Sequence, residues 1–113
     1  MIRSVELYLN DIIEAIDLIE YSTKGITKQV FMEDKEKQDA NIRRIEIIGE
    51  AVKGVSEKIR TKYPGVEWSK IAGSRDVLIH AYFGVNLNMV WKIIKERLPQ
   101  LKKQIKEILK DVK

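Results

Sequence analysis

The stretch Ser4-Val5-Glu6-Leu7-Tyr8-Leu9-Asn10-Asp11-Ile12-Ile13-Glu14-Ala15-Ile16-Asp17-Leu18-Ile19-Glu20-Tyr21 spaces Val5, Leu9, Ile12, Ile13, Ile16 and Ile19 mostly three or four residues apart. At 3.6 residues per turn these side chains share one stripe, with Glu6, Asn10, Asp11 and Glu14 interspersed. An amphipathic helix over Ser4–Tyr21 follows. A helix of this kind has to bury its stripe against another element, so the question becomes what the rest of the chain offers.

Outward from it, Thr23, Gly25 and Thr27 mark a turn, and Thr27–Phe31 reads as the start of a short helical turn. A second stripe of Ile42, Ile45, Ile48, Val52, Val55 and Ile59 predicts one longer helix over Lys35–Lys62. Gly49 stands in its middle, where glycine costs about 1 kcal/mol relative to alanine. That cost suggests close approach by another helix. Pro64-Gly65 ends the segment. A third helix is expected over Trp68–Tyr82, stopped by Gly84. Asn86 can cap a fourth that contains Val90, Ile93 and Ile94. Pro99 suits the first turn of a final helix with Leu101, Ile105, Ile108, Leu109 and Val112 as its apolar face. Lys102, Lys103, Lys106, Lys110 and Lys113 make that helix basic. No segment reads as a strand and no repeat is present. The expected fold class is all-α, an up-and-down bundle of four to five helices in a single domain over residues 1–113.

Composition narrows the function classes. With 44% hydrophobic and 34% charged residues, the 113-residue chain is globular in character and not disordered. It has no cysteine, which removes disulfides, thiol nucleophiles and thiolate metal sites. The N-terminus runs straight into the first amphipathic pattern, so no signal peptide is expected. No apolar run approaches the roughly 18 residues of a membrane span. A cytoplasmic protein without membrane contact is the expectation. The net charge of +4 is mild and compatible with a polyanion such as RNA, but from charge alone a solvated basic surface is the favoured reading.

One constellation could carry chemistry. The single histidine, His80, follows Arg75 by five residues and precedes Tyr82 by two. On a helix Arg75 and Tyr82 fall about 20° apart, and Asp76 and His80 form an i,i+4 pair about 40° apart. Arg75 and His80 are about 140° apart, so one straight helix would not aim both at one small target. Unwinding of the last turn, bending of the side chains, or a second copy of the helix would resolve this. Cleavage of RNA by its own 2′-hydroxyl needs a base, an acid for the leaving 5′-oxygen and positive charge at the phosphorus. Histidine can be acid or base near neutral pH. The arginine fork matches two phosphate oxygens. Asp76 can orient the imidazole and favour its cation. One chain supplies one imidazole, and a two-fold dimer would supply two. From the local pattern alone, an ordinary structural ion pair between Asp76 and His80 stands equally open, with Tyr82 packing on Trp68 or Trp91.

Arg75, Asp76, His80 and Tyr82 resemble the motif of the HEPN superfamily. The likeness extends to Arg44–Lys53, Tyr63–Gly73, His80–Asn86 and Val90-Trp91, which look like the corresponding segments of HepT-like proteins. The resemblance implies a helical bundle that homodimerises with its motifs facing a shared cleft. It implies a metal-independent endoribonuclease with Arg75 and His80 as principal catalytic residues and Asp76 in support. It also implies a toxin paired with a small nucleotidyltransferase antitoxin that adenylylates Tyr82. Two positions depart from the pattern: Ser74 stands in place of a larger apolar residue, and Ala81 where an acid is often found. No cofactor is expected. Glu46 and Glu50 lie one turn apart, but with no second histidine they read as a structural or dimer-interface pair instead of metal ligands. The competing function is a non-catalytic helical module that binds a nucleotide or a nucleotidyltransferase.

Overall fold

A computed structural model describes residues 3–74 and 86–112, and every regular element among them is helical. Helix α1 (Val5–Thr23) opens at Ser4, whose extended backbone and hydroxyl cap the Leu7 N–H at 3.3 Å. It closes ahead of Gly25, whose φ of +76° is a left-handed turn conformation that glycine adopts without a Cβ penalty. Helix α2 (Lys28–Glu33) is a short helix capped by Thr27. Helix α3 (Lys35–Lys53) starts at Asp34, whose carboxylate accepts from the Lys37 N–H at 3.1 Å.

Hydrogen bonds between helices fix their directions. The Lys37 ammonium donates to the Ser22 carbonyl and the Asn41 amide to the Ser22 hydroxyl, both at 3.1 Å. The start of α3 therefore lies at the end of α1. At the opposite end Gly54 sits against the Tyr8 ring. The two helices are antiparallel. The C-terminal helix also runs antiparallel to α1, because Lys95 donates to the Thr23 carbonyl at 3.3 Å while Lys102 reaches back to Glu20 and Asp17. Lys37 and Lys95 thus bring positive charge to the negative end of α1, whose own last turn has no basic residue.

Packed between its two partners, α1 buries Leu9, Ile12, Ile16 and Ile19 completely. Ile42, Ile45, Ile48 and Val52 face it from α3, and Leu98, Leu101, Ile105 and Ile108 from the last helix. The stripes read from the sequence are the core. Among the described residues no helix is long and apolar enough to cross a membrane.

Two boundaries differ from expectation. The predicted helix over Lys35–Lys62 breaks: α3 ends at Lys53 with Gly54 as its C-cap, and Ser56 caps a new helix α4 (Glu57–Lys62). One reason is a contact with α1 and the other a local cap. A Cβ on Gly54 would come within 2.3 Å of the Tyr8 ring, and the Ser56 hydroxyl takes up the Ile59 N–H. Arg60 then closes the end of α3 by donating to the carbonyls of Val55 and Val52 at 3.1 and 2.7 Å. Helix α5 begins at residue 68 and is described to residue 74. The second difference concerns α6 (Leu87–Lys92) and α7 (Leu98–Val112). They are not separate helices but are joined without a break by a π-helical turn at Ile93–Arg97, where the Leu98 N–H bonds to the Ile93 carbonyl five residues back. Pro99 lacks an N–H, and its ring would crowd the carbonyl four residues earlier. The widened turn accommodates both defects.

Lys102 ties the two long helices together across the surface, 2.7 Å from Asp17 and 2.9 Å from Glu20. Hydrogen bonds to Asp17 first, and then to Glu20, raise its pKa above the ordinary lysine value. A raised pKa means that the folded state holds the proton more tightly than the unfolded one. The stabilisation is therefore complete below the ordinary lysine range near 10.4 and is lost as pH climbs through the folded value. Lys102→Met is expected to lower stability at pH 7 by about 1 kcal/mol or less, given the partial exposure of all three groups. The gap between variant and wild type should shrink as pH rises past the lysine range. Denaturant titrations at neutral pH and at about pH 11 check this; an equal gap at both would remove the ion pair from the account.

Candidate functional site

The sequence-derived site residues Arg75, Asp76, His80 and Tyr82 lie outside the described residues. What the structure gives is the frame on both sides of them, and it is closely defined. On the approach, the loop Tyr63–Glu67 is fastened to α7: the Tyr63 hydroxyl donates to Asp111, and the Gln104 amide donates to the Gly65 carbonyl at 3.1 Å. The bond to Asp111 favours the protonated phenol and raises the Tyr63 pKa. Trp68 is buried at the start of α5 and its indole N–H donates to the Tyr63 carbonyl at 2.9 Å.

Along α5 the last described turn rests on α3. A Cβ on Gly49 would meet the Ile71 carbonyl oxygen at 3.1 Å and the Ser74 hydroxyl at 3.3 Å. Glycine is needed here for approach, not for its dihedral freedom. The expectation of a close helix at Gly49 is met, with α5 as that helix. The Ser74 hydroxyl itself donates to the Ile71 carbonyl at 2.6 Å.

After the site segment the chain re-enters the described fold at Asn86, whose side chain accepts from the Met89 N–H at 3.1 Å and starts α6. Val90 is buried in the core, and Trp91 packs on the fully buried Phe31 with ring centroids 5.2 Å apart. Lys95 lies 4.8 Å over the Trp91 ring. Phe31 in turn is held by Gln38, which donates to the carbonyls of Phe31 and Met32 at 2.9 and 3.0 Å. The described flanks of the segment that carries Arg75 to Tyr82 thus pack on the main core, through buried Trp68 on one side and through half-buried Trp91 on buried Phe31 on the other.

Glu46 and Glu50 stand on α3 near this frame. Glu46 accepts from Arg43 at 3.3 Å and Glu50 lies 3.6 Å from Lys53, so each carboxylate has a cation on its own helix. Among the described residues no three acidic or imidazole groups converge as a metal site would need.

The described residues form an antiparallel all-helical core, and the motif lies in the sequence between α5 and α6. The family model for HepT-like ribonucleases matches residues 12–108. A probable ribonuclease HepT from Thermococcus cleftensis is 46% identical over 97% of this chain and 100% of its own length. A Methanocaldococcus jannaschii protein, whose name joins a gamma-glutamylcyclotransferase to a provisionally assigned RNase, is 46% identical over 99% of this chain. This chain spans 50% of that relative's length. A provisionally named RNase of Caldanaerobacter subterraneus is 43% identical over 94% of this chain and 95% of its own. No solved structure matches the chain. The chain belongs to the HepT-like ribonuclease family of the HEPN superfamily.

Proposed function

We propose that residues 1–113 form a single HEPN-type domain that works as a homodimer and cleaves RNA without a metal, as the toxin of a toxin–antitoxin pair in the cytoplasm. The observation that carries this reading is the complete set Arg75, Asp76, His80 and Tyr82, inside a family match that runs from residue 12 to 108. In this mechanism a neutral imidazole takes the proton of the ribose 2′-hydroxyl, and the oxygen attacks the adjacent phosphorus. The bond to the 5′-oxygen breaks, and an imidazolium returns a proton to that oxygen. The products are a 2′,3′-cyclic phosphate and a 5′-hydroxyl. Two imidazoles serve the two roles, one His80 from each protomer across the two-fold axis. Arg75 stabilises the charge that builds on the non-bridging oxygens, and Asp76 orients the imidazole.

The antitoxin of this reading is a small nucleotidyltransferase that adenylylates Tyr82. A nucleotide on that tyrosine adds negative phosphate where substrate phosphate binds, and so blocks the cleft.

Arg75→Lys tests the role of the guanidinium. The charge is kept but the two-pronged contact is lost, so turnover should fall about tenfold or more, the worth of one charge-assisted hydrogen bond. Initial cleavage rates on a defined single-stranded RNA measure it, and wild-type turnover would remove Arg75 from the mechanism.

A further inference from the structure

We propose that Gly49 and Ser74 act together as a positioning seat, one that sets the orientation in which α5 delivers the chain to the catalytic segment. The inference rests on the ribonuclease reading for its kinetic consequence, but the seat itself is a matter of geometry. Helix α5 is held at two points. Its start is fixed by buried Trp68 and the indole bond to Tyr63. Its last described turn carries Ile71 and Ala72, which pack against the core, and it meets α3 at Gly49 mainly through backbone carbonyls. A Cβ at Gly49 would lie 3.1 Å from the Ile71 carbonyl, 3.3 Å from the Ser74 hydroxyl and 3.7 Å from the Ala72 carbonyl.

Ser74 adds a second constraint at the same spot. Its hydroxyl donates at 2.6 Å to the Ile71 carbonyl, the oxygen that crowds Gly49 most closely. Serine bonding back to a carbonyl of the preceding turn bends a helix locally. A larger apolar residue at position 74 could not make that bond. Ser74 and the glycine in the middle of α3 thus meet at one carbonyl, that of Ile71. Arg75 is the next residue along the chain, so this turn sets where the chain enters the proposed catalytic segment. A displacement of about 1 Å between reacting groups can lower a rate by roughly a hundredfold.

The test compares wild type with Gly49→Ala, Ser74→Ala and the double variant, by single-turnover RNA cleavage and by NMR of the imidazole of His80. The chain has one histidine, so that signal needs no assignment by mutation. Gly49→Ala should lower kcat by about ten- to a hundredfold with KM little changed. It should also shift the His80 resonances and their titration midpoint while the amide spectrum of α1 and α7 stays in place. Ser74→Ala, which removes a hydroxyl from a half-buried position and threatens the fold least, should show the same pattern more weakly. The double variant should recover part of the loss, because removing the hydroxyl gives the added methyl room. A role in packing alone predicts a lower melting temperature with unchanged kcat and unchanged His80 signals in the folded protein, and that outcome overturns the seat. If wild type cleaves no RNA yet the His80 signals move in Gly49→Ala, the ribonuclease reading falls and the seat stands. Silence in both falls on both.

Discussion

Replacing His80 by alanine is expected to reduce RNA cleavage by about 10²–10⁴-fold or more, and to abolish toxicity in cells that express the chain without a partner. The size of the effect follows from the count of groups. The chain has a single histidine and no cysteine, so no second side chain that titrates near neutral pH stands by to replace it. In a two-fold site the substitution removes acid and base together, which places the loss at the upper end of the range. The folded state should survive, because stability rests on the interlocked stripes of α1, α3 and α7. Initial rates on a mixed RNA substrate, with circular dichroism melting of both proteins, separate the two effects. Equal cleavage by wild type and variant would end the catalytic assignment of His80.

The largest expected effect on stability comes from Ile16→Ala. Ile16 is completely buried on α1, the helix that packs against both α3 and the C-terminal helix. Truncation removes apolar surface and leaves a cavity that two rigid neighbours cannot both collapse into. The expected loss is about 2–5 kcal/mol. Against a total stability of roughly 5–15 kcal/mol, that loss is enough to populate unfolded chain at moderate temperature. Leu18→Ala is the control on the same helix: Leu18 is 45% exposed, and its truncation should change stability by about 0.5 kcal/mol or less. Urea titrations of the two variants measure the difference. If they lose the same amount, the packing of α1 described above is wrong.

The core was legible in the sequence because helix periodicity and burial report the same physics. Leu9, Ile12, Ile16 and Ile19 repeat at helical spacing since only that spacing faces one neighbour, and all four are fully buried. Gly49 was legible for a similar reason, because a glycine that weakens a helix must be compensated by contact. The break at Gly54–Ser56 was not read, although its signals were present: a glycine followed two residues later by serine and glutamate is a C-cap followed by an N-cap. The apolar stripe runs on through Val55 and Ile59 and hid the break. The π-helical turn before Pro99 had no local signal beyond the proline itself. A proline in a first turn and a proline absorbed by a widened turn look alike in sequence. The polar fastenings of the site frame were likewise out of reach. Tyr63 with Asp111 and Gln104 with Gly65 are contacts between residues 48 and 39 positions apart, which no local pattern encodes. For the site, the spacing of Arg75, Asp76, His80 and Tyr82 was legible. On one straight helix Arg75 and His80 stand about 140° apart, so that spacing by itself does not aim both at one target.

RNA cleavage by this chain is proposed to run through the ribose 2′-hydroxyl without a metal. Its most direct test is the chemistry of the product ends after wild-type protein, free of any partner, is incubated with RNA in excess EDTA. Cleavage that leaves 2′,3′-cyclic phosphate and 5′-hydroxyl ends is the expected result. Cleavage that appears only when a divalent metal is restored, or that leaves 3′-hydroxyl ends, would contradict it.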